Sequence, residues 1–449
     1  MALPTLAAAP AAPRTTRLRQ GLGVAFGVAV TVGSTIGVGI LRTPGTIAAL
    51  LPSGPLILAC WGLAGGYILL AANSYAELTA MLPRAGGPFN YIRRAFGGYA
   101  GFVAGWADFL SSALSPAIFS LILGEYTGLL VPALAPHPKL VGAAYLTTFA
   151  LLNLPGVRSA SVVQQLVSAL KIGLLLVLIG GCFWAGPAGP AAPVPPPPPP
   201  VVGGALVLAF FKAWQLILGT YDGWMAASYF AEEDANPGRN VPRSYFLSVA
   251  VIVGLYCLLN AAILYVVPLG AVAHAPAAAA VAAAVAFGTW SGPLVTGLSI
   301  FFLIGILNAL LISPARILFG LSREGYCSPV AQRLNAGGTP YVALGVGYGL
   351  SLWGIAANSF EQLFALGAVV VTLVTGGALA ALFRLRATEP ALPRPYRAWG
   401  YPGVPALALL LTVGLLAGFA VSDGRSLLVV LGSAAVSYPA YRLVKAARA

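Results

Sequence analysis

The 449-residue sequence predicts an all-α integral membrane protein of twelve transmembrane helices, with the first and the sixth interrupted near their middles. Three observations predict it. Hydrophobic residues make up 59% of the chain and charged residues only 8%, which excludes an ordinary soluble domain. The apolar residues form continuous runs, and about 20 residues suffice to cross a bilayer as a helix. A β-barrel would instead show short alternating segments. Finally, two of the runs carry glycine at both ends of a five-residue window, Gly33 to Gly37 and Gly219 to Gly223.

The spans are read at residues 21–51, 55–81, 98–130, 139–155, 160–184, 204–231, 244–267, 292–321, 341–357, 361–384, 403–421 and 426–443. They divide the chain into a tail (1–20), a first five-helix unit (21–184), an outer loop (185–203), a second five-helix unit (204–384) and a final pair of helices with a C-terminal tail (385–449). Met1 to Pro13 is uncharged and rich in Ala and Pro, so a disordered cytoplasmic tail is expected rather than a signal peptide. Residues 186–200 end in six consecutive prolines and are read as a stiff loop, since proline removes helix donors. The alanine-rich run Ala275 to Ala286 is too short to span, and a re-entrant or interfacial helix is one reading of it. Gly97, Gly101 and Gly105, and likewise Gly62 and Gly66, suggest close packing against neighbouring helices.

The net charge of +13 invites a nucleic-acid reading, but its distribution favours topology. Counting spans from a cytoplasmic N-terminus, 18 of the 24 Lys and Arg fall in tails or inner loops. Lys139 and Arg425 lie outside, and Arg42, Lys171, Lys212 and Arg316 lie in or at the ends of helices. This is the positive-inside pattern, with both termini cytoplasmic and the chain in the plasma (inner) membrane. Anionic lipid headgroups are its natural partners and nucleic acid is not. Cys60, Cys182, Cys257 and Cys327 lie in apolar spans or an inner loop, so no extracellular disulfide is expected. The two histidines, His137 and His274, fall in outer loops. No nucleophile, base or metal-ligand cluster is visible at membrane depth, so neither an enzyme nor a bound cofactor or metal is expected.

The first interruption comprises Gly33, Ser34, Thr35, Ile36, Gly37, Val38 and Gly39. Hydrocarbon offers no replacement partners for backbone groups, so unwound chain at this depth must line a cavity. The second window, Gly219-Thr220-Tyr221-Asp222-Gly223, occupies the matching place in the other five-helix unit. The first span runs outward and the sixth inward, so the units have opposite topology. Paired interruptions of this kind mark the binding site of an inverted-repeat transporter.

Five further stretches carry a family resemblance: Tyr75-Ala76-Glu77-Leu78 with Pro83 to Pro88; Tyr221-Asp222-Gly223-Trp224 with Glu232-Glu233, Asn236-Pro237, Arg239-Asn240 and Pro242; Ser322 to Gly325 with Asn335 and Pro340; Arg394 to Arg397; and Gly400-Tyr401-Pro402. Together with Gly33 to Ile40, they resemble the amino acid–polyamine–organocation (APC) superfamily over nearly the whole chain. The resemblance is closest to bacterial relatives of the L-type amino acid transporters. It implies a LeuT-type five-plus-five inverted repeat with two extra helices, alternating access, and an amino acid as substrate. The substrate carboxylate would meet N–H groups around Ser34 to Gly39, and its ammonium would meet carbonyls of the first interruption and of Gly219 to Tyr221. Trp224 follows in the same motif. Exposed N–H groups suit an anion and exposed carbonyls a cation, so a zwitterion needs both.

A charge inside the bilayer costs about 2.5–3.5 kcal/mol on translocon scales. Lys171, midway along the fifth span, resembles the family's built-in cation at the place where sodium-coupled relatives hold Na⁺, with Ser313 and carbonyls of the first interruption as its expected partners. Its role is either coupling and gating or a plain tether. The resemblance therefore implies sodium-independent transport, by exchange or with protons as a second partner. Asp222 either caps unwound N–H groups, which suits neutral L-amino acids, or lines the pocket, which suits cationic amino acids or polyamines, or takes up a proton during transport. Asp108 and Lys212 receive no assignment. Arg42, Glu77, Glu125 and Arg316 lie near span ends, where snorkelling to the interface is expected. Relatives often place a bulky aromatic where this chain has Gly219, leaving Tyr221, Trp224 or Trp214 to close the site, or else a larger pocket. Residues 131–138 hold no cysteine, so the disulfide to a heavy-chain partner seen in animal relatives cannot form.

Overall fold

The computed structural model describes residues 18, 20–155, 157–187, 196, 202–275, 277–288, 290–357, 360–422 and 424–446. The tail expected over 1–20 and the loop expected over 185–203 lie largely outside these residues. In order, the helices are α1 (Val24–Thr35), α2 (Gly39–Leu50), α3 (Gly54–Met81), α4 (Phe89–Phe96), α5 (Gly98–Leu130), α6 (Pro138–Asn153), α7 (Val157–Ala185) and α8 (Gly203–Tyr221). A 3₁₀ segment (Ala226–Glu233) leads to α9 (Pro237–Val266), α10 (Leu269–Ala273), α11 (Ala278–Phe287), α12 (Ser291–Arg323), α13 (Tyr341–Ala357), α14 (Phe360–Thr388), α15 (Gly403–Ser422), α16 (Gly424–Val436) and α17 (Tyr438–Ala446).

Among the described residues, nine helical stretches are long and apolar enough to cross a membrane, and the bent pair α1–α2 makes ten. The helices α6 and α13, of 16 and 17 residues, occupy two further predicted spans. The chain is a multi-pass helical membrane protein. Its largest buried cluster is aliphatic and aromatic, polar and charged side chains such as Glu77, Gln164, Lys171 and Arg316 are buried beside it, and the outward faces of α15 to α17 remain largely exposed, as lipid-facing surfaces are.

Glycine and β-branched residues concentrate where α1 fails. It ends at Thr35, Ile36 takes an extended conformation (ψ 104°), and α2 restarts at Gly39 with a 47° bend. The second interruption lies later than its glycine window suggests. The helix α8 runs through Gly219 and Thr220 to Tyr221, and the chain leaves helical geometry at Asp222 (ψ 151°) and Gly223 (φ 95°). Gly219 is thus helical, and Gly223 is the residue whose left-handed backbone permits the break.

The alanine-rich run forms α11, whose Ala278, Ala279, Ala282 and Ala283 are buried against α2, α7, α9 and α12. Gly105 packs on Leu321 and Phe89, as expected, whereas Gly62 and Gly66 meet no neighbour. On that helix it is Gly65, against Val253, that allows close approach.

Glu77 and Arg316 do not snorkel. Glu77 is fully buried, accepting hydrogen bonds from Arg386 and the Ala398 N–H, with Arg394 Nε 3.3 Å away. With Asn73, which bonds Trp399 and Tyr396, it docks the segment before α15 onto α3. Arg42 and Glu125 are exposed at helix ends.

Candidate functional site

The two interruptions touch. A methyl group at Gly223 would lie 2.8 Å from the Ser34 carbonyl carbon and 2.9 Å from its oxygen. Gly39 packs similarly on Thr220, whose hydroxyl donates to Thr43 Oγ1 at 3.1 Å. From α9, the Tyr256 hydroxyl reaches both breaks, meeting the Thr35 carbonyl at 2.9 Å and the Thr220 carbonyl at 3.3 Å. Tyr221 packs edge-on against Trp61 and beside Tyr256, and Trp224 packs on Tyr75 with ring centroids 4.9 Å apart. Gly223→Ala combines a left-handed backbone with a collision against main chain, which nothing nearby can relieve. The variant is expected to lose about 1–3 kcal/mol of stability, measurable as a lower Tm in detergent, and an unchanged Tm would contradict this contact.

Ending α1 at Thr35 frees its last carbonyls, and restarting at Gly39 leaves the first N–H groups of α2 without intrahelical acceptors. Lys171 of α7 takes two of the carbonyls: Nζ donates to Gly33 at 3.1 Å and to Ile36 at 2.7 Å, and lies 5.8 Å from the Phe302 ring centroid. It is fully buried. Its stem rests on Gly305 of α12, where a methyl group would approach Cε to 2.6 Å. Ser313, the side-chain partner expected from sequence, is buried on the same helix. It lies eight residues beyond Gly305, about 12 Å along the axis at 1.5 Å per residue. Lys171 thus meets the first break and not Ser313. Thr35 Oγ1 is buried with no hydrogen-bond partner among the described residues.

Asp222 is exposed at the second break, and its Oδ1 accepts from the Gly223 N–H at 2.8 Å. Asp108 of α5 is buried and accepts from the Tyr229 hydroxyl at 3.0 and 3.2 Å. Lys212 is exposed on α8. Trp214 is buried against Tyr67 and Phe211.

Ion pairs gather around the segment that follows the second break. Arg316 and Glu233 pair at 2.9 Å, each 2% exposed in its side chain, and the guanidinium stacks 5.4 Å from the Phe230 ring centroid. Arg323 donates to both oxygens of Glu232, one of which also accepts from the Ala85 N–H. Glu324 meets Arg84 and Arg93. The Glu233 carbonyl accepts from the N–H groups of Gly21 and Leu22, while Ala235 N–H donates to Leu22 O, joining the segment before α1 to the segment after the second break. Further out, hydrogen bonds from Arg94 hold the Glu389 carboxyl below its ordinary range, although so exposed a pair contributes little to stability.

Tyr256, Gln164, Asn308 and the Arg316–Glu233 pair escaped sequence reasoning. The partners in each contact lie far apart in the chain, and a tyrosine in an apolar helix reads as core. A weak signal did exist for Gln164. Ser161, Gln164, Ser168 and Lys171 recur at three- and four-residue steps, one polar face of an otherwise apolar helix. No group of three or more His, Cys, Asp or Glu comes together among the described residues.

A helical membrane bundle with two touching helix interruptions, freed main-chain groups and a lysine held against them defines a membrane permease architecture. Residues 25–432 match the amino acid permease family, and the chain belongs to that family, within the APC superfamily. It is 25% identical to the serine/threonine exchanger SteT of Bacillus subtilis, over 94% of this chain and 97% of that protein. It is 26% identical to the mouse b(0,+)-type amino acid transporter 1, over 91% and 84% of the two chains. With the human large neutral amino acids transporter small subunit 2 it shares 27%, over 85% and 72%.

Proposed function

We propose that the chain is a sodium-independent secondary active transporter of amino acids. It works by alternating access, as an exchanger or with protons, in a twelve-helix LeuT-type five-plus-five inverted repeat. The observation that carries this reading is the meeting of the two breaks. Helix-start N–H groups of α2, carbonyls freed at the end of α1 and the Thr35 hydroxyl, unpartnered among the described residues, belong to this meeting point, which suits a zwitterionic head group. Lys171 supplies a fixed side chain where a coupling cation would otherwise hold α1 to its neighbours. Both termini face the cytoplasm of a plasma-membrane protein that needs no disulfide-linked heavy chain.

Neutral L-amino acids are the proposed substrates, because Asp222 already accepts a main-chain hydrogen bond as a short carboxylate cap does. The names of the serine/threonine exchanger and the large neutral amino acid transporter support the same class. Cationic substrates are the second reading, favoured by the exposure of Asp222 at the break. Asp222→Asn separates the two: neutral selectivity predicts a modest change in KM for neutral substrates, whereas loss of transport of a cationic amino acid with neutral transport retained would establish the second.

The test of the main reading is uptake of labelled amino acids into liposomes holding purified protein. The vesicles would be empty or preloaded with unlabelled amino acids, and tested with Na⁺ or choline and with or without a proton gradient. Uptake dependent on preloading identifies exchange, and gradient-driven uptake into empty vesicles identifies proton symport. The initial rate is expected to be equal in Na⁺ and choline; stimulation by Na⁺ would refute the sodium independence.

A further inference from the structure

Gln164 stands two helical turns before Lys171 and is fully buried against the first break. A methyl group at Gly33 would collide with its Nε2. Three side-chain amides from three helices link head to tail through it. Asn153 of α6 donates to Asn308 Oδ1 at 3.0 Å, Asn308 of α12 donates to Gln164 Oε1 at 2.9 Å, and Gln164 Nε2 points at the Ala29 carbonyl of α1 at 3.4 Å. Ser168 bonds the same carbonyl at 2.7 Å. Every amide donates along the chain toward α1, so each fixes the orientation of the next, and none can flip without setting two donors or two acceptors face to face. In a helix interior surrounded by hydrocarbon, such a set of polar groups requires a reason.

We propose that Gln164 is a positioning residue for transport. Through Asn308 it holds α1, just before the break, at the distance from α7 and α12 that spaces the main-chain groups for the substrate head group. This rests on the substrate-site reading above. Gln164 itself does not touch substrate. It acts through Gly33 and Ala29, and Asn308 acts through Gln164.

The test compares wild type, Gln164→Leu, Asn308→Leu and the double variant in liposome exchange with the best substrate, alongside direct binding in detergent. Each single variant leaves a buried amide without its partner, so each is expected to raise KM and the Kd about tenfold, with a smaller change in maximal rate. The double variant is expected to be no worse than the worse single, since both act through one bond. A KM unchanged in either variant, or effects that multiply in the double, would overturn the proposal. So would a loss of maximal rate at constant KM, which marks a structural defect instead. If Gln164→Leu fails to reach the membrane, Asn308→Leu alone decides, because its amide bonds Asn153 and Gln164 rather than α1. A wild-type protein that carries no amino acid would remove the substrate-site reading and this proposal together. Normal wild-type exchange with unaffected variants would remove only the latter.

Discussion

Replacing Lys171 by methionine is expected to reduce amino acid exchange about 100-fold or more while leaving the protein folded. Methionine keeps much of the aliphatic stem and its packing on Gly305 and Phe302 but removes both donors. The carbonyls of Gly33 and Ile36, met by Nζ at 3.1 and 2.7 Å, would then be buried without partners, at about 1–3 kcal/mol each. Since about 1.4 kcal/mol is a factor of ten, relaxing the break into another geometry becomes the cheaper course, and the site loses its shape. Initial exchange rates in liposomes, with monodispersity in detergent as the folding control, check this. Exchange within a few-fold of wild type would reduce Lys171 to a tether.

Arg316→Met is expected to destabilise the protein by about 3–5 kcal/mol, because Glu233 would remain as a buried, unpaired carboxylate. Arg316→Met combined with Glu233→Leu should recover much of that loss, since an apolar pair of similar volume is often neutral or better. Thermal unfolding in detergent reads both. Equal damage from the single and double variants would show that the contacts of Glu233 matter more than its charge. In the proposed alternating access the end of the bundle that holds this pair opens, so the double variant should also favour the open state. Faster labelling of a cysteine placed at Ala227, on the 3₁₀ segment after the second break, would report that shift.

Hydropathy made most of the fold legible, because lipid imposes a long apolar run on every spanning helix. The first interruption was legible within a few residues: glycine and β-branched residues weaken a helix locally, and Ile36 to Val38 is where α1 gives way. The second was displaced because glycine is tolerated within helices. Gly219 stays helical, and only Gly223 needs a left-handed backbone. Lys171 stood out because charge in hydrocarbon is rare, and an unwound stretch of the first span offered it carbonyls as partners; that these are Gly33 and Ile36, without Ser313, is set by the fold. Sequence reasoning sent Arg316 and Glu77 to the interface. Their partners lie 83 and 309 residues away, and burial of a charge is decided by what the fold brings to it. Tyr256 was hidden for a related reason: only the structure shows that its hydroxyl reaches both breaks.

The joint between the segment before α1 and the segment after the second break has a consequence for how the protein can vary. Its three bonds run from the main-chain N–H groups of Gly21, Leu22 and Ala235 to main-chain carbonyls. Nineteen of the twenty genetically encoded residues supply that donor, and proline alone does not. Point substitutions at Leu22 and Ala235 therefore leave the joint's own bonds in place, while Gly21, at φ 145°, is held to glycine by its backbone; lineages can drift at the other two positions while inheriting the same mechanical linkage.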